Sequence, residues 1–365
     1  MVKKNERIIY LKAIGIILVV LAHSNSIVYI DNYIAMFHMP LFFIASGYCF
    51  KEKNFSQPFC YIFKKVKKLW CPFIKYSLLF VLLHNVFFKL HIYDSRYWNQ
   101  HEYSNMDYIK CLKDIILHME VSELLVRPLW FLNALFWGTI FAFVFLAIPH
   151  FFLRNSARKY MCSGYILSLG GALLICIILC TLNMTFTILY IGPRTFLTAA
   201  FIMIGFIASR YDLGNLHPFL MLICVMITFI AMNLYLIRMK DNLYVAKDTV
   251  PYFVVATMMT WTLYSLPWKK VHGNIKMALL YIGENTLPIF IWHFLAFKLV
   301  SLFIIAVYDL PINYLGAFHV IYEYANKGYF VLYTIVGLCI PLLLKMIILY
   351  VKGLFLNYKK IDCDD

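Results

Sequence analysis

The sequence predicts an all-α polytopic membrane protein with about ten transmembrane helices and both termini in the cytoplasm. The chain of 365 residues is 63% hydrophobic and only 14% charged, a balance that is not typical of soluble domains. Apolar stretches of about 20 residues, the length that crosses a bilayer as a helix, recur from end to end. Basic residues collect in alternate connections between them, a pattern that orients membrane proteins.

Ten apolar segments are expected to cross the lipid bilayer within one integral-membrane domain, 1–365, that has no appended soluble domain. The segments are 8–29, 34–50, 70–90, 129–149, 162–182, 194–210, 217–237, 250–267, 285–308 and 329–352. Lysines and arginines precede the first segment and follow the second, fourth, eighth and tenth, so an even number of spans puts them all on the cytoplasmic side. This orientation signal explains the formal charge of +15, and a nucleic-acid partner is excluded.

The ten cysteines are scattered along the chain. Neither their spacing nor that of the histidines and carboxylates suits a metal ion, so no metal and no disulfide framework are predicted.

The first segment carries two ionisable side chains, Lys12 and His23, in an otherwise apolar helix. Eleven residues turn a helix through about 1100°, so both side chains lie on one face, about 16 Å apart along the axis. Ionisable groups are costly inside a membrane and indicate function. His23 suits a general base that acts on a hydroxyl. Lys12 has two interpretations: a snorkelling side chain, or a cation that contacts an anionic donor such as a phosphate.

The second segment contains His38, Pro40, Ser46 and Gly47. His38 is expected at the depth of His23, where it either serves the site or only bonds a neighbouring helix. Pro40 falls in the first turn of a helix, where proline is tolerated. Ser46 and Gly47 are small enough to let another helix or a ligand approach the backbone.

Charged and aromatic residues mark the starts of two later segments. Trp130 and Asn133 open the fourth segment, and Arg194 opens the sixth. An interfacial tryptophan is usually a membrane anchor, so Trp130 has a structural interpretation beside a functional one.

The ninth segment follows Glu284, with Asn285 or Thr286 as the expected helix cap. Glu284 then lies near a helix N-terminus, where a carboxylate is favourable. His293 is about two turns into this helix. Its expected depth is nearer the inner face than that of His23, so no contact between the two histidines is predicted.

Five stretches together resemble the integral-membrane acyltransferase-3 family. They are Lys12 and His23 with ten residues between them, FHMPLFFIASGY, the basic loop that runs into Pro72-Phe73, LWFLNALF and YIGENTLPIFIWH. The resemblance covers the chain from about Arg7 to the tenth segment. Within the family it is similar to the fucose 4-O-acetylase-like branch of bacterial surface-polysaccharide O-acetyltransferases.

The resemblance implies transfer of an acyl group, taken as acetyl, from acetyl-CoA to a hydroxyl of a cell-envelope glycan or lipid-linked saccharide at a bacterial cytoplasmic membrane. The family's catalytic basic residue and histidine correspond to Lys12 and His23, and His23 is either the general base or the carrier of the acyl group. The paired basic residues that bind the donor correspond to Lys65 and Lys68, although Lys64 and Lys67 fit the same spacing. The residues predicted to bind substrate are His38, Ser46, Trp130, Asn133, Arg194, Glu284 and His293.

A second class of function stays open. A flippase, exporter or polymerase of lipid-linked saccharides is also polytopic and basic, with polar residues inside its spans. Such carriers usually show inverted-repeat halves, which this sequence does not show. The acyltransferase interpretation leaves its own question, because the basic donor site is expected at the inner face and the histidines toward the outer one. Either the acyl arm reaches through the bundle or a relay moves the acyl group.

Overall fold

The computed structural model of the chain describes residues 6–97, 100–186, 188–235 and 246–361. The described part is all-helical, with 82% of residues in helices and no strands. The helices are α1 (Glu6–His23), α2 (Val28–Ala35), α3 (His38–Tyr48), α4 (Pro58–Lys65), α5 (Cys71–Leu82), α6 (His84–Lys89), α7 (Asn105–Lys113), α8 (Trp130–Leu153), α9 (Arg158–Thr181), α10 (Pro193–Tyr211), α11 (Pro218–Tyr235), α12 (Ala246–Ser265), α13 (Gly273–Glu284), α14 (Thr286–Tyr308), α15 (Tyr322–Tyr324) and α16 (Phe330–Ile361). Short 3-10 helices cover Glu52–Asn54, Leu124–Leu129, Ile188–Tyr190, Trp268–Lys270 and Ile312–Gly316, and π-helical turns cover Val66–Trp70, Asp114–His118 and Ala325–Tyr329.

In the part of the chain that the structure describes, five helical stretches are long and apolar enough to cross a membrane. They are Val28–Tyr48, Leu124–Leu153, Arg158–Thr181, Thr286–Tyr308 and Tyr322–Val351. This confirms the predicted class, an all-helical membrane protein, while the count of ten spans stays a prediction. The predicted end of the seventh segment, 236–237, lies outside the described residues.

The second predicted segment is not one helix but two, α2 and α3. The chain breaks at Phe37, whose φ of −147° and ψ of −15° are not helical. Pro40 lies in the first turn of α3, as predicted. A continuous helix would push the ring of Pro40 against the carbonyl of Met36, four residues earlier, and this clash explains the break.

The ninth predicted segment is also preceded by a separate helix, α13, which packs beside the first half of α1. Lys276 pairs with Glu6 at 3.0 Å, and a Cβ on Gly283 would overlap the carbonyl oxygen of Ile9. The missing side chain of Gly283 therefore lets the two backbones touch. Because α13 packs beside the first half of α1, α14 begins beside the middle of α1.

Asn285 holds the N-cap position of α14, one of the two residues predicted for it, but its side chain makes no capping hydrogen bond. Its amide nitrogen donates to the carbonyl of Tyr281 at 2.7 Å, and its amide oxygen accepts a hydrogen bond from Lys345 on α16. The side chain thus fixes the junction of the two helices to a third helix instead of satisfying the first turn of α14.

The segment between α5 and α8 is ordered around a buried pair, His84 and Glu123. Nδ1 of His84 contacts the carboxylate of Glu123 at 3.0 Å, and its Nε2 contacts the carbonyl of His101 at 2.9 Å. Each ring nitrogen of His84 therefore has an oxygen partner within hydrogen-bond distance. The ring of Tyr103 stacks on His84 with centroids 3.4 Å apart. One buried histidine side chain therefore joins three parts of this segment.

Replacing Glu123 with glutamine is expected to destabilise this segment by about 1–2 kcal/mol, because a neutral amide replaces the carboxyl group that is hydrogen-bonded to the buried His84 ring. The measurement is the thermal unfolding of the detergent-solubilised protein. Glu120→Gln is the matched control, since Glu120 is exposed in the same segment. Equal unfolding midpoints for the two variants would contradict a stabilising buried hydrogen bond between His84 and Glu123.

Candidate active site

His23 and His293 form a hydrogen-bonded pair. Nδ1 of His23 lies 3.0 Å from Nε2 of His293, and the two rings stack with centroids 5.2 Å apart. His23 ends α1 and is half-buried, whereas His293 is fully buried in α14. The expectation that His293 lies nearer the inner face is wrong, because α14 begins halfway along α1 and so carries His293 to the level of His23.

The hydrogen bonds determine where the protons lie in the neutral pair. Nδ1 of His293 is 3.0 Å from the carbonyl oxygen of Ile289, so this nitrogen donates. Nε2 of His293 is then an acceptor, and Nδ1 of His23 donates to it. The lone pair of the His23 ring is therefore on Nε2. A neutral imidazole held in one tautomer in this way is suited to accept a proton from a hydroxyl.

A third imidazole, His319, lies beside the pair and was not predicted. Its ring centroid is 5.6 Å from that of His23. It stacks on Phe294 with centroids 5.1 Å apart and planes 3° from parallel, and Phe294 also contacts His23 at 4.9 Å. His319 belongs to the connection between α14 and α15. The sequence signal for a functional role of His319 is weak, because it consists of a single histidine outside any periodic apolar segment.

A buried lysine of α14 holds the connection that carries His319. Nζ of Lys298 donates to the carbonyls of Leu315 and Ala317 at 2.8 and 2.7 Å, and Lys298 is only 3% exposed. These carbonyls precede His319 by four and two residues. A buried ammonium is costly unless it is hydrogen-bonded, so we infer that Lys298 positions this connection against α14.

Lys298→Met is expected to loosen the connection, because two buried carbonyls lose their partner at a cost of about 1–3 kcal/mol each. Hydrogen exchange of residues 312–321 should become faster in this variant. Lys327→Met is the control, because Lys327 is exposed and contacts Glu323 and the Tyr324 ring rather than a buried carbonyl. Equal exchange of residues 312–321 in the two variants would show that Lys298 does not hold the connection.

The structure brings Trp130 and Arg194 together, as the starts of α8 and α10 meet. The guanidinium carbon of Arg194 lies 4.5 Å from the ring centroid of Trp130, a cation–π contact. Asn133 is 8% exposed and donates to the carbonyls of Met119 and Leu189 at 3.1 and 3.5 Å. Its amide nitrogen therefore links two connections at this end of the bundle.

Three other predicted substrate residues lie on α3 and at the end of α13. His38 begins α3, and its Nδ1 donates to the carbonyl of Ile34 at 2.8 Å. Ser46 is half-buried on α3. Glu284 is exposed and is the last residue of α13. It also directly precedes Asn285, the N-cap residue of α14, so it lies near a helix N-terminus as predicted.

The predicted donor residues lie at the opposite end of α1 from the histidine pair. Lys65 ends α4, and its Nζ lies 5.3 Å from the ring centroid of Tyr61. Burial, together with the positive charges of Lys68 and Lys12, lowers the pKa of Lys65 to about 8. Three lysines from α1, α4 and the π-helical turn therefore interact electrostatically. Like charges held together favour an anionic ligand.

The fold and the site define a helical membrane protein with a histidine pair at one end of α1 and a lysine cluster at the other. The family comparison agrees with this class: the acyltransferase-3 model, described as an acyltransferase domain, matches residues 5–346. The chain belongs to this family and is a membrane acyltransferase. A search of curated proteins gives no significant match, and a search of solved structures gives none either.

Proposed function

We propose that the chain transfers an acetyl group from acetyl-CoA to a hydroxyl of a cell-envelope or exported glycan, with His23 as general base. The reaction takes place at a bacterial cytoplasmic membrane, which the chain crosses ten times with both termini in the cytoplasm. The observation that carries the proposal is the 3.0 Å bond from Nδ1 of His23 to Nε2 of His293. It orients the His23 ring and leaves the lone pair on its Nε2.

In this reaction Nε2 of His23 takes the proton of the acceptor hydroxyl while the hydroxyl oxygen attacks the thioester carbonyl. The C–S bond then breaks, and the CoA thiolate receives the proton from the imidazolium. The His23 ring becomes positively charged during this step, and the acceptor nitrogen of His293 stabilises it through their hydrogen bond. Such a base contributes about 10²–10⁴-fold in rate.

The donor enters at the end of the bundle where α1 begins. CoA is a polyanion, and Lys12, Lys65 and Lys68 supply a cluster of positive charge that suits its phosphates. The cluster and His23 are separated by about 16 Å along α1. The acyl arm of the donor spans this distance through the bundle.

The acceptor binds at the end of the bundle where α8 and α10 begin. Trp130 presents an aromatic ring beside Arg194, and a sugar ring packs well on such a surface. His38 and His319 complete the polar groups that we assign to the acceptor hydroxyls. The glycan class follows from the resemblance to surface-polysaccharide O-acetyltransferases.

The Michaelis constant for acetyl-CoA is expected to rise as the pH increases through about 8. Burial lowers the pKa of Lys65 to about 8, so its charge is present below that pH and is lost above it. Steady-state kinetics between pH 6.5 and pH 9.5 measures the effect. Lys65→Arg keeps its charge throughout and should abolish the rise, whereas an unchanged rise in this variant would assign the effect to another group.

The direct test uses purified protein in nanodiscs with acetyl-labelled acetyl-CoA and a cell-envelope glycan fraction. We expect free CoA and labelled glycan to appear together. If label never leaves CoA, with or without glycan, the acetyl transfer is wrong. Movement of a lipid-linked saccharide across the bilayer in the same preparation would then favour a carrier.

A further inference from the structure

A cavity of about 330 Å³ opens at the end of the bundle where α1 begins. The first turns of α1 line one side with Arg7 and Tyr10. The turn before α13 lines the other side with Trp268 and Lys269, and α13 adds Lys276. These residues belong neither to the histidine pair nor to the predicted donor residues, so the cavity needs its own explanation.

The lining of this cavity carries an excess of positive charge. Arg7, Lys269 and Lys276 are cations, while Glu6 is the carboxylate among the lining residues and pairs with Lys276 at 3.0 Å. The cavity also adjoins the N-terminus of α13, a helix of 12 residues whose N-cap residue, His272, makes no side-chain capping bond. An uncapped helix N-terminus offers N–H groups and positive potential to an anion.

A buried hydroxyl supplies an independent indication of a ligand. Tyr10 is 2% exposed, and its hydroxyl has no hydrogen-bond partner among the described residues. It is close enough to Lys276 for the two groups to interact electrostatically. The Tyr10 ring is fixed by stacking on Trp268, with centroids 4.9 Å apart and planes 19° from parallel. A buried polar group without a partner is costly, and an oxygen of a bound anion in the cavity would remove that cost.

We propose that this cavity binds a phosphate group, with Lys269, Arg7 and the start of α13 as cationic partners and the Tyr10 hydroxyl as a donor. The site is separate from the donor cluster. Tyr10 and Lys12 are two residues apart on α1, or about 200° around the helix, so they lie on opposite faces. The phosphate comes either from a soluble nucleotide or from a phospholipid headgroup, and the apolar Ile275, which precedes Lys276 in the sequence, is exposed.

The test measures the thermal unfolding of the whole protein with each of the two sources of phosphate. One arm titrates ATP against protein in phosphatidylcholine nanodiscs, and the other replaces part of the phosphatidylcholine with phosphatidylglycerol. The wild-type unfolding midpoint is expected to rise in one of the arms. A rise with ATP identifies a soluble phosphate, and a rise with phosphatidylglycerol identifies a lipid headgroup.

The variants decide whether any rise comes from this cavity. Lys269→Gln removes an exposed cation and is expected to weaken binding about tenfold or more, since a hydrogen bond to a charged group contributes about 1.5–3 kcal/mol. Tyr10→Phe keeps the stacked ring and should weaken binding several-fold, roughly the value of one hydrogen bond. Lys270→Gln is the control, because Lys270 is exposed next to the cavity without lining it. No rise in either arm, or an equal rise in all four proteins, would overturn the proposal.

Discussion

Replacing His23 with alanine is expected to lower the turnover of acetyl transfer by about 10²–10⁴-fold, the usual contribution of a positioned general base. The fold should survive, because His23 ends α1 and is only half-buried. The Michaelis constant for acetyl-CoA should change little, since the lysine cluster lies at the other end of α1. The measurement is the initial rate of label transfer, with unfolding midpoints recorded in parallel.

A second histidine variant controls for the removal of a histidine side chain that has no role in catalysis. His217 is exposed before α11, and its Nδ1 accepts only from the backbone of Phe219 at 3.3 Å. His217→Ala should therefore transfer acetyl at the wild-type rate. Turnover in His23→Ala that equals the wild-type value would retain an acyltransferase but remove His23 as its base.

Replacing Gly47 with alanine is expected to cost about 3 kcal/mol or more in stability. A Cβ on Gly47 would overlap the carbonyl oxygen of Ile202 on α10, and a Cβ on Gly205 would overlap that of Ile44 on α3. Backbone atoms cannot turn aside as a side chain can, so α3 and α10 must separate along an extensive contact. Overpacking of a tight interface costs about 1–3 kcal/mol and sometimes more.

Gly171→Ala provides the matched control for this helix crossing. A Cβ at Gly171 in α9 meets nothing within 4 Å, and alanine is favoured over glycine in a helix by about 1 kcal/mol. This variant should be as stable as the wild type or slightly more so. Thermal unfolding in one detergent compares the two variants. A Gly47→Ala protein as stable as Gly171→Ala would mean that α3 and α10 are not in backbone contact.

The helical period predicted the features that depend on one helix alone. It indicated that Lys12 and His23 share a face of α1, and the small residues of the second segment indicated the close approach that Gly47 makes to α10. Both features follow from spacing within a single element. Residue chemistry also indicated that Trp130 and Arg194 lie at the starts of helices, although it did not predict the cation–π contact between them.

The features that the sequence did not predict depend on where other elements end. His293 reaches His23 because α13 packs beside the first half of α1, so that α14 starts farther along. The close contact of Gly283 with Ile9 fixes the position of α13. His319 belongs to a connection whose course is fixed by a buried lysine on another helix. Such placements depend on tertiary contacts, which no local period encodes.

We expect His23 and His293 to act as one unit in catalysis, and the turnover of the double variant is the decisive measurement. The rates to compare are those of His23→Ala, His293→Ala and the protein with both changes. If His293 acts only through His23, the double variant should be no slower than His23→Ala alone, because residues that act together are not additive. If the two losses multiply instead, the residues act independently, and the hydrogen bond between them is not the basis of catalysis.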